Sequence, residues 1–253
     1  MRMSGILLLA LTILLGAGSA WGSELVSDLS ESDIEVSYRY AGESLLVFGS
    51  LPEAGGHVLV EVRGPPSERT VQRKGKVLGF LWMNVASATF ADMPGFYALL
   101  ADAPLDRFLS AAAKERLGVG SQALLHSAKA SVADAHAERK AYFDGLLRSM
   151  RADGLYREDP SAITVKRGRL FRGRLQLPAQ APVGDYRITV RQIKDGEVVH
   201  RDDQDLRVAK SGVEKWLYDL AHEHAAWYGV MAILVALTTG WLVGMITRGE
   251  GEH

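Results

Sequence analysis

The uncharged run from Ala225 to Thr247 constrains this chain more than any other feature. About 23 residues at ~1.5 Å each make a helix of roughly 34 Å, enough to cross a ~30 Å hydrocarbon core with slight tilt. Glu223 and His224 precede the run and Arg248 follows it, while Trp227, Tyr228 and Trp241 stand where amphipathic rings mark the two interfaces. A membrane helix is therefore expected over 225–247, with the lipid bilayer around it. Inside the run, Ala232, Ala236, Gly240 and Gly244 recur every four residues. A stripe of small residues lets a second helix approach closely in lipid, where packing must drive association without hydrophobic help. It predicts a helix-packing face for a membrane protein partner or for a second copy of the chain.

At the other end, Met1-Arg2-Met3 leads into an apolar run from Ile6 to Leu15 and then the small residues Gly16 to Ala20. A short basic start, an apolar stretch too short to span and small residues before a cut predict a signal peptide over residues 1–22, cut after Ala20 or Gly22, with an uncleaved anchor as the alternative. Lys210 and Lys215 on one side of the span against Arg248 on the other do not set the orientation, because an export signal acts first. The expected arrangement is a bacterial inner-membrane protein with a single span, its body in the periplasm and residues 248–253 as a cytoplasmic tail.

The chain has no cysteine and a formal net charge of −1. This excludes disulfide frameworks and thiol chemistry and gives no electrostatic ground for binding nucleic acid. An exported fold of this composition must be held by packing alone.

Between the two apolar ends the pattern is mainly β. Residues 23–101 break into short runs, Ile34 to Tyr40, Ser44 to Gly49, His57 to Arg63, Arg69 to Val71, Leu78 to Met83, Ala86 to Phe90 and Tyr97 to Leu100. Gly55-Gly56, Gly64-Pro65-Pro66, Lys74-Gly75 and Pro94-Gly95 punctuate them, as in antiparallel sandwiches. Val58, Val60 and Val62 alternate with Leu59, Glu61 and Arg63, so one face of that strand is expected to be core. A second β block, 157–210, shows the same alternation in Phe171, Gly173, Leu175 and Leu177 and in Tyr186, Ile188 and Val190. Met93-Pro94-Gly95-Phe96-Tyr97 and Pro182-Val183-Gly184-Asp185-Tyr186 share a phrase, consistent with an Ig-like β-sandwich of one or two related halves.

Residues 102–156 form a helical insertion, alanine-rich and divided by Gly118 to Gly120. Leu125, Ala128, Val132, Ala135, Tyr142, Leu146 and Met150 repeat at three-to-four spacing, predicting one long amphipathic helix that covers a sheet or binds a partner. Residues 211–224 are expected to be a juxtamembrane helix.

Few residues offer chemistry. Asp219, His222 and Glu223 share a helix face and are weak candidates for a metal ion near the bilayer; as a solvated charged face they need no ion. Ser110 with Lys114 and Ser127 with Lys129 are the pairs a tethered hydrolase could use, though no strained turn or oxyanion site accompanies them. Arg172, Arg174, Arg187 and Arg191 fall on the outward positions of the second β block, with Lys166, Arg167 and Arg169 nearby. They form a candidate anion surface, unless Asp202, Asp203 and Asp205 on the next strand neutralise them.

Several phrases together resemble an alphaproteobacterial family of transmembrane proteins of unassigned function. They are Leu46-Val47-Phe48-Gly49, Val62-Arg63-Gly64-Pro65-Pro66, Pro94-Gly95-Phe96-Tyr97, Gly154-Leu155-Tyr156-Arg157-Glu158-Asp159-Pro160, Pro182-Val183-Gly184-Asp185-Tyr186 and Trp216-Leu217-Tyr218-Asp219. The resemblance implies an exported domain with one C-terminal span and brings no catalytic residues. Such proteins are often encoded beside sulfite-exporter-type permeases, which implies an accessory role to an anion exporter. The combined expectation is a membrane-anchored periplasmic interaction protein, without catalysis or cofactor. The alternatives are a membrane-tethered hydrolase and a structural envelope-binding protein that uses the long helix.

Overall fold

A computed structural model describes residues 24–37, 40–78, 80–131, 136–210, 220–223 and 225–248. The expected signal peptide at 1–22 and the tail beyond Arg248 lie outside them. The described residues are mainly β, with 49% of them in strands and 26% in helices. Among the described residues thirteen strands occur, β1 (Val26–Leu29), β2 (Asp33–Val36), β3 (Gly42–Ser50), β4 (His57–Arg63), β5 (Pro66–Val77), β6 (Leu81–Pro94), β7 (Tyr97–Ala101), β8 (Lys129–Ser131), β9 (Tyr156–Asp159), β10 (Ile163–Lys166), β11 (Leu170–Pro178), β12 (Gly184–Lys194) and β13 (Glu197–Lys210). The helices are α1 (Ala111–Leu117), α2 (Leu124–Ser127), α3 (His136–Ala152) and α4 (Ala225–Arg248).

A four-stranded sheet runs β1-β3-β11-β10 and a six-stranded sheet runs β2-β13-β12-β4-β7-β9. Each of these sheets draws strands from both sequence blocks: β3 pairs with β11 and β4 pairs with β12. The two blocks are thus one interleaved unit rather than two sandwich halves side by side.

The first sheet is one-sided. Leu45 and Val47 on β3 and Phe171, Leu175 and Leu177 on β11 are buried while their neighbours face out, as period-two alternation demands. Gly49 belongs to this face because an added Cβ would stand 2.2 Å from the carbonyl oxygen of Val26 and 2.7 Å from the Phe171 ring. The larger sheet departs from the expectation. On β4, Val58 through Val62 are all buried, so both faces are covered and not one. The first sheet closes one side; the segment around α1 reaches the other through the hydrogen bond from Arg63 Nη2 to the Gly118 carbonyl. Alternating residue types revealed the strand but could not reveal this second cover.

The insertion also differs from the single long helix expected. The chain leaves helical geometry at Ala128 (ψ 132°), and β8 then pairs with β6 before α3 begins at His136. Two features hold the break: Lys129 pairs with Asp92 at 2.8 Å, and an Arg139 Nη2 donates to the Leu125 and Ala128 carbonyls. Arg139, an interruption in the apolar stripe, closes the end of α2. On α3, Tyr142, Phe143, Leu146, Leu147 and Met150 are buried, and the Phe143 ring meets Phe90 edge-on at 5.7 Å. Val132 and Ala135 lie outside the described side chains.

The third sheet is a long hairpin, β5 with β6, joined by β8. Lys74-Gly75 was expected to turn here, yet both residues lie inside β5 and the chain reverses beyond Val77. Gly75 instead serves close packing beside a register shift, since a Cβ there would come within 2.8 Å of Val85.

Candidate functional site

The four arginines expected to form one surface do not meet. Strands β11 and β12 belong to different sheets, so Arg172 and Arg174 are separated from Arg187 and Arg191. Arg172 and Arg174 are exposed on the outer face of the first sheet, opposite Phe48 and Leu46 in the β3 register. Arg187 faces solvent and pairs with Asp205 at 3.7 Å, the partner anticipated from the aspartate run. Asp202 and Asp203 are engaged elsewhere. Asp202 accepts from the Ser27 amide and hydroxyl, each at 2.7 Å. Asp203 is partly desolvated, but bonds from Thr189 and Arg201 outweigh this and hold its carboxyl below the usual range.

Arg191 is buried, contrary to the outward position expected, because both faces of the larger sheet are covered. Its Nη1 donates to Glu61 Oε2 at 2.8 Å. The other oxygen, Oε1, accepts from Arg63 Nε at 2.9 Å, Arg63 Nη2 at 2.7 Å and the Tyr97 hydroxyl at 3.1 Å. Tyr97 in turn accepts the Gly120 amide at 2.8 Å. Burial first, and the Glu61 charge second, push the Tyr97 phenol well above its ordinary value. A carboxylate with four donors and a phenol that resists ionisation are suited to holding a sheet to a loop. Composition offered one signal for this centre: a lone glutamate in the apolar run His57 to Val62.

A second polar pair was not anticipated. His57 Nδ1 lies 3.2 Å from Asp102 Oδ2, its ring stacks on Phe108 at 4.4 Å, and Asp102 Oδ1 also accepts the Val58 amide at 3.0 Å. His57 borders a cleft of about 940 Å³ that is also lined by Ser110 and Arg116. Ser110 is the N-cap of α1, accepting the Ala113 amide at 3.1 Å, and Lys114 pairs with Asp106. In the second serine–lysine pair, Lys129 is tied to Asp92, and the Ser127 side chain lies outside the described ones. Asp219 also lies outside the described residues, whereas His222 and Glu223 are exposed on a helical turn. Among the described residues, no group of three His, Asp or Glu side chains is placed to hold a metal ion.

The C-terminal run forms the expected helix. Ala225–Met245 of α4 is long and apolar enough to cross a bilayer, and none of that window is buried against the rest of the chain. Among the described residues, a Cβ added at Gly229, Gly240 or Gly244 would meet nothing within 4 Å. The face of Ala232, Ala236, Gly240 and Gly244 is therefore open. Thr238, on the far side from Gly240, satisfies its hydroxyl internally by donating to the Leu234 and Val235 carbonyls.

No curated protein and no solved structure matches the chain. A family model does, over residues 24–249, and takes in both the β domain and the apolar helix. The chain is a membrane protein and belongs to the family described as "Putative transmembrane protein (Alph_Pro_TM)".

Proposed function

We propose that this is an accessory protein of the bacterial inner membrane, anchored by α4, with its β domain in the periplasm, that engages a membrane partner through the small-residue face of α4. The open face of that helix carries the reading: a Cβ at Gly240 or Gly244 would meet none of the described residues within 4 Å. In lipid, such a face gains dispersion contacts only when another helix packs against it. Export follows from the apolar leader and the small residues Gly16 to Ala20 ahead of the domain. The partner is an anion-exporter permease of the sulfite type or a second copy of the chain. No enzymatic step or cofactor is part of the proposal.

The test replaces Gly240 and Gly244 with isoleucine and compares them with Leu234→Ile and Leu242→Ile on the opposite face. Cross-linking in native membranes and co-purification in mild detergent should be lost only for the glycine variants. An adduct of twice the chain mass would identify self-association, and a larger species retaining a multi-span protein would identify the permease. Association that survives both glycine changes would refute the proposal.

A further inference from the structure

The tip of the β5–β6 hairpin exposes an apolar cluster that the β domain does not use. Leu78 is 81% exposed, Phe80 76% and Trp82 63%, and Val77, Leu81, Met83 and Val85 are exposed beside them. The strands project these side chains on both faces of the ribbon, so no single face could fold back and cover them. A patch of this kind on a water-soluble surface invites aggregation unless it meets a partner or a membrane.

Three observations identify the bilayer as that surface. The first is charge: Arg73, Lys74 and Lys76 are exposed directly behind the apolar tip, and residues 69–91 contain no Asp or Glu. The Lys76 ammonium lies 5.3 Å from the centre of the Trp82 ring. Apolar and indole groups ahead of a ring of cations match the layering of acyl chains, interface and anionic headgroups.

The second is topology. In the larger sheet Gly184 pairs with Val208, Arg187 with both Asp205 and Arg63, and Arg63 with Tyr97. The end of β4, the start of β7, the start of β12 and the end of β13 therefore coincide. The hairpin leaves β4 just after Arg63 and returns just before Tyr97, while β13 ends at Lys210 on the way to α4. Hairpin and membrane tether thus depart from one end of one sheet.

The third is reach. Residues 211–224, about 14 of them, span at most ~50 Å even when fully extended. The β domain is thus held close to the bilayer that α4 crosses. Twelve residues of β5 amount to about 40 Å of strand.

We infer that the hairpin tip inserts into the leaflet on the domain's own side, giving the β domain a second attachment to an anionic lipid surface. The inference does not depend on which protein packs against α4.

The absence of native cysteine makes the test clean. Single nitroxide labels at Leu78→Cys and Phe80→Cys, with Ser87→Cys farther down the exposed hairpin as reference, are placed in the full chain. The protein is reconstituted into phosphatidylcholine vesicles with a minority of phosphatidylglycerol. Collision rates with oxygen, which concentrates in acyl chains, and with a water-soluble nickel chelate are then measured. The oxygen-to-nickel ratio at 78 and 80 should rise several-fold over that at 87, and Arg73→Glu with Lys76→Glu should reverse most of the rise. A Val85→Cys label, short of the turn, gives an intermediate ratio and guards against a turn disturbed by labelling. Ratios at 78 and 80 equal to that at 87 overturn the inference. Spin–spin broadening that disappears on dilution with unlabelled protein, without an oxygen gain, assigns the tip to a second copy and overturns it as well.

Discussion

Replacing Glu61 with glutamine should destabilise the β domain far more than removing the arginine opposite it. The Glu61 side chain is 2% exposed and that of Arg191 10%, so neither can be rehydrated without opening the larger sheet. Glutamine preserves the volume but leaves one oxygen for four donors, and its own amide hydrogens would face one of the guanidinium groups. Breaking a buried pair in this way costs ~3–5 kcal/mol, because the remaining charge stays buried. Arg63 escapes that penalty: its side chain is 40% exposed and can turn to solvent. Arg191 cannot. The reverse change, Arg191→Met, leaves Glu61 with Arg63 and Tyr97 and inserts an apolar chain into an apolar setting, for a loss of ~1–3 kcal/mol. For a domain of this size each kcal/mol moves Tm by about 2–4 °C, so Glu61→Gln should lower it by roughly 6–20 °C. The assay is thermal unfolding of the full chain in mild detergent, followed by near-ultraviolet circular dichroism. The double variant should lose less than the sum of the two singles, since its buried cation is gone. An Arg191→Met loss equal to or larger than that of Glu61→Gln would refute the argument.

Two further outcomes follow from close packing and from buried phenols. Gly49→Ala puts a Cβ against the Val26 carbonyl on one side and the Phe171 ring on the other, so β1 must move at a cost of ~1–3 kcal/mol; hydrogen exchange should quicken at Val26–Leu29, and unchanged protection there would contradict the packing. Burial raises the phenols of Tyr97, Tyr156 and Tyr186 above their ordinary value of 10.0, so the folded state favours their neutral form. Their stabilisation is complete below pH 10.0 and is lost as pH climbs through the raised folded values, so Tm should fall on the alkaline side of 10.0 and a flat profile there would refute the assignment.

Local periodicity made the strands legible and left their partners hidden. Alternation in Phe171 to Leu177 located β11 and its inner face, yet nothing in that stretch indicates that β3, more than a hundred residues earlier, is its neighbour. The arginines show the consequence. Outward alternation placed Arg172, Arg174, Arg187 and Arg191 on one surface only if β11 and β12 were adjacent, and a sheet boundary runs between them. For Arg191, alternation failed because a central strand covered on both sides has no outward face. The α4 run was legible in full, since in lipid a helix needs no tertiary partner to satisfy its backbone. The hairpin tip was seen only as a strand: Leu78 to Met83 is apolar without alternation, a pattern that fits a buried strand as well as one meant for a non-aqueous surface.

The shared Pro-Gly-Tyr phrase has a packing explanation that duplication does not require. A Cβ on Gly95 would approach the Pro182 ring to 2.8 Å, one on Gly184 would meet Pro65 at 3.0 Å, and one on Gly64 would meet the Tyr186 ring at 2.9 Å. The Phe96 and Tyr186 rings lie 5.8 Å apart, and the Tyr186 hydroxyl donates to the Pro182 carbonyl at 2.6 Å, as in the tyrosine corners of sandwich domains. Gly95 of the first phrase thus seats against Pro182 of the second, while Gly184 of the second seats against Pro65 at the base of the hairpin. Backbone seated against a rigid ring leaves little slack, so this corner transmits orientation. It lies between the base of the hairpin and the end of β13, the two segments proposed to lead toward the bilayer. The angle between hairpin and sheet is thus set by proline and glycine contacts at Pro65, Gly95, Pro182 and Gly184. That is a physical reason for proline and glycine to recur here, and on the proposed insertion it makes the corner the joint between hairpin and sheet.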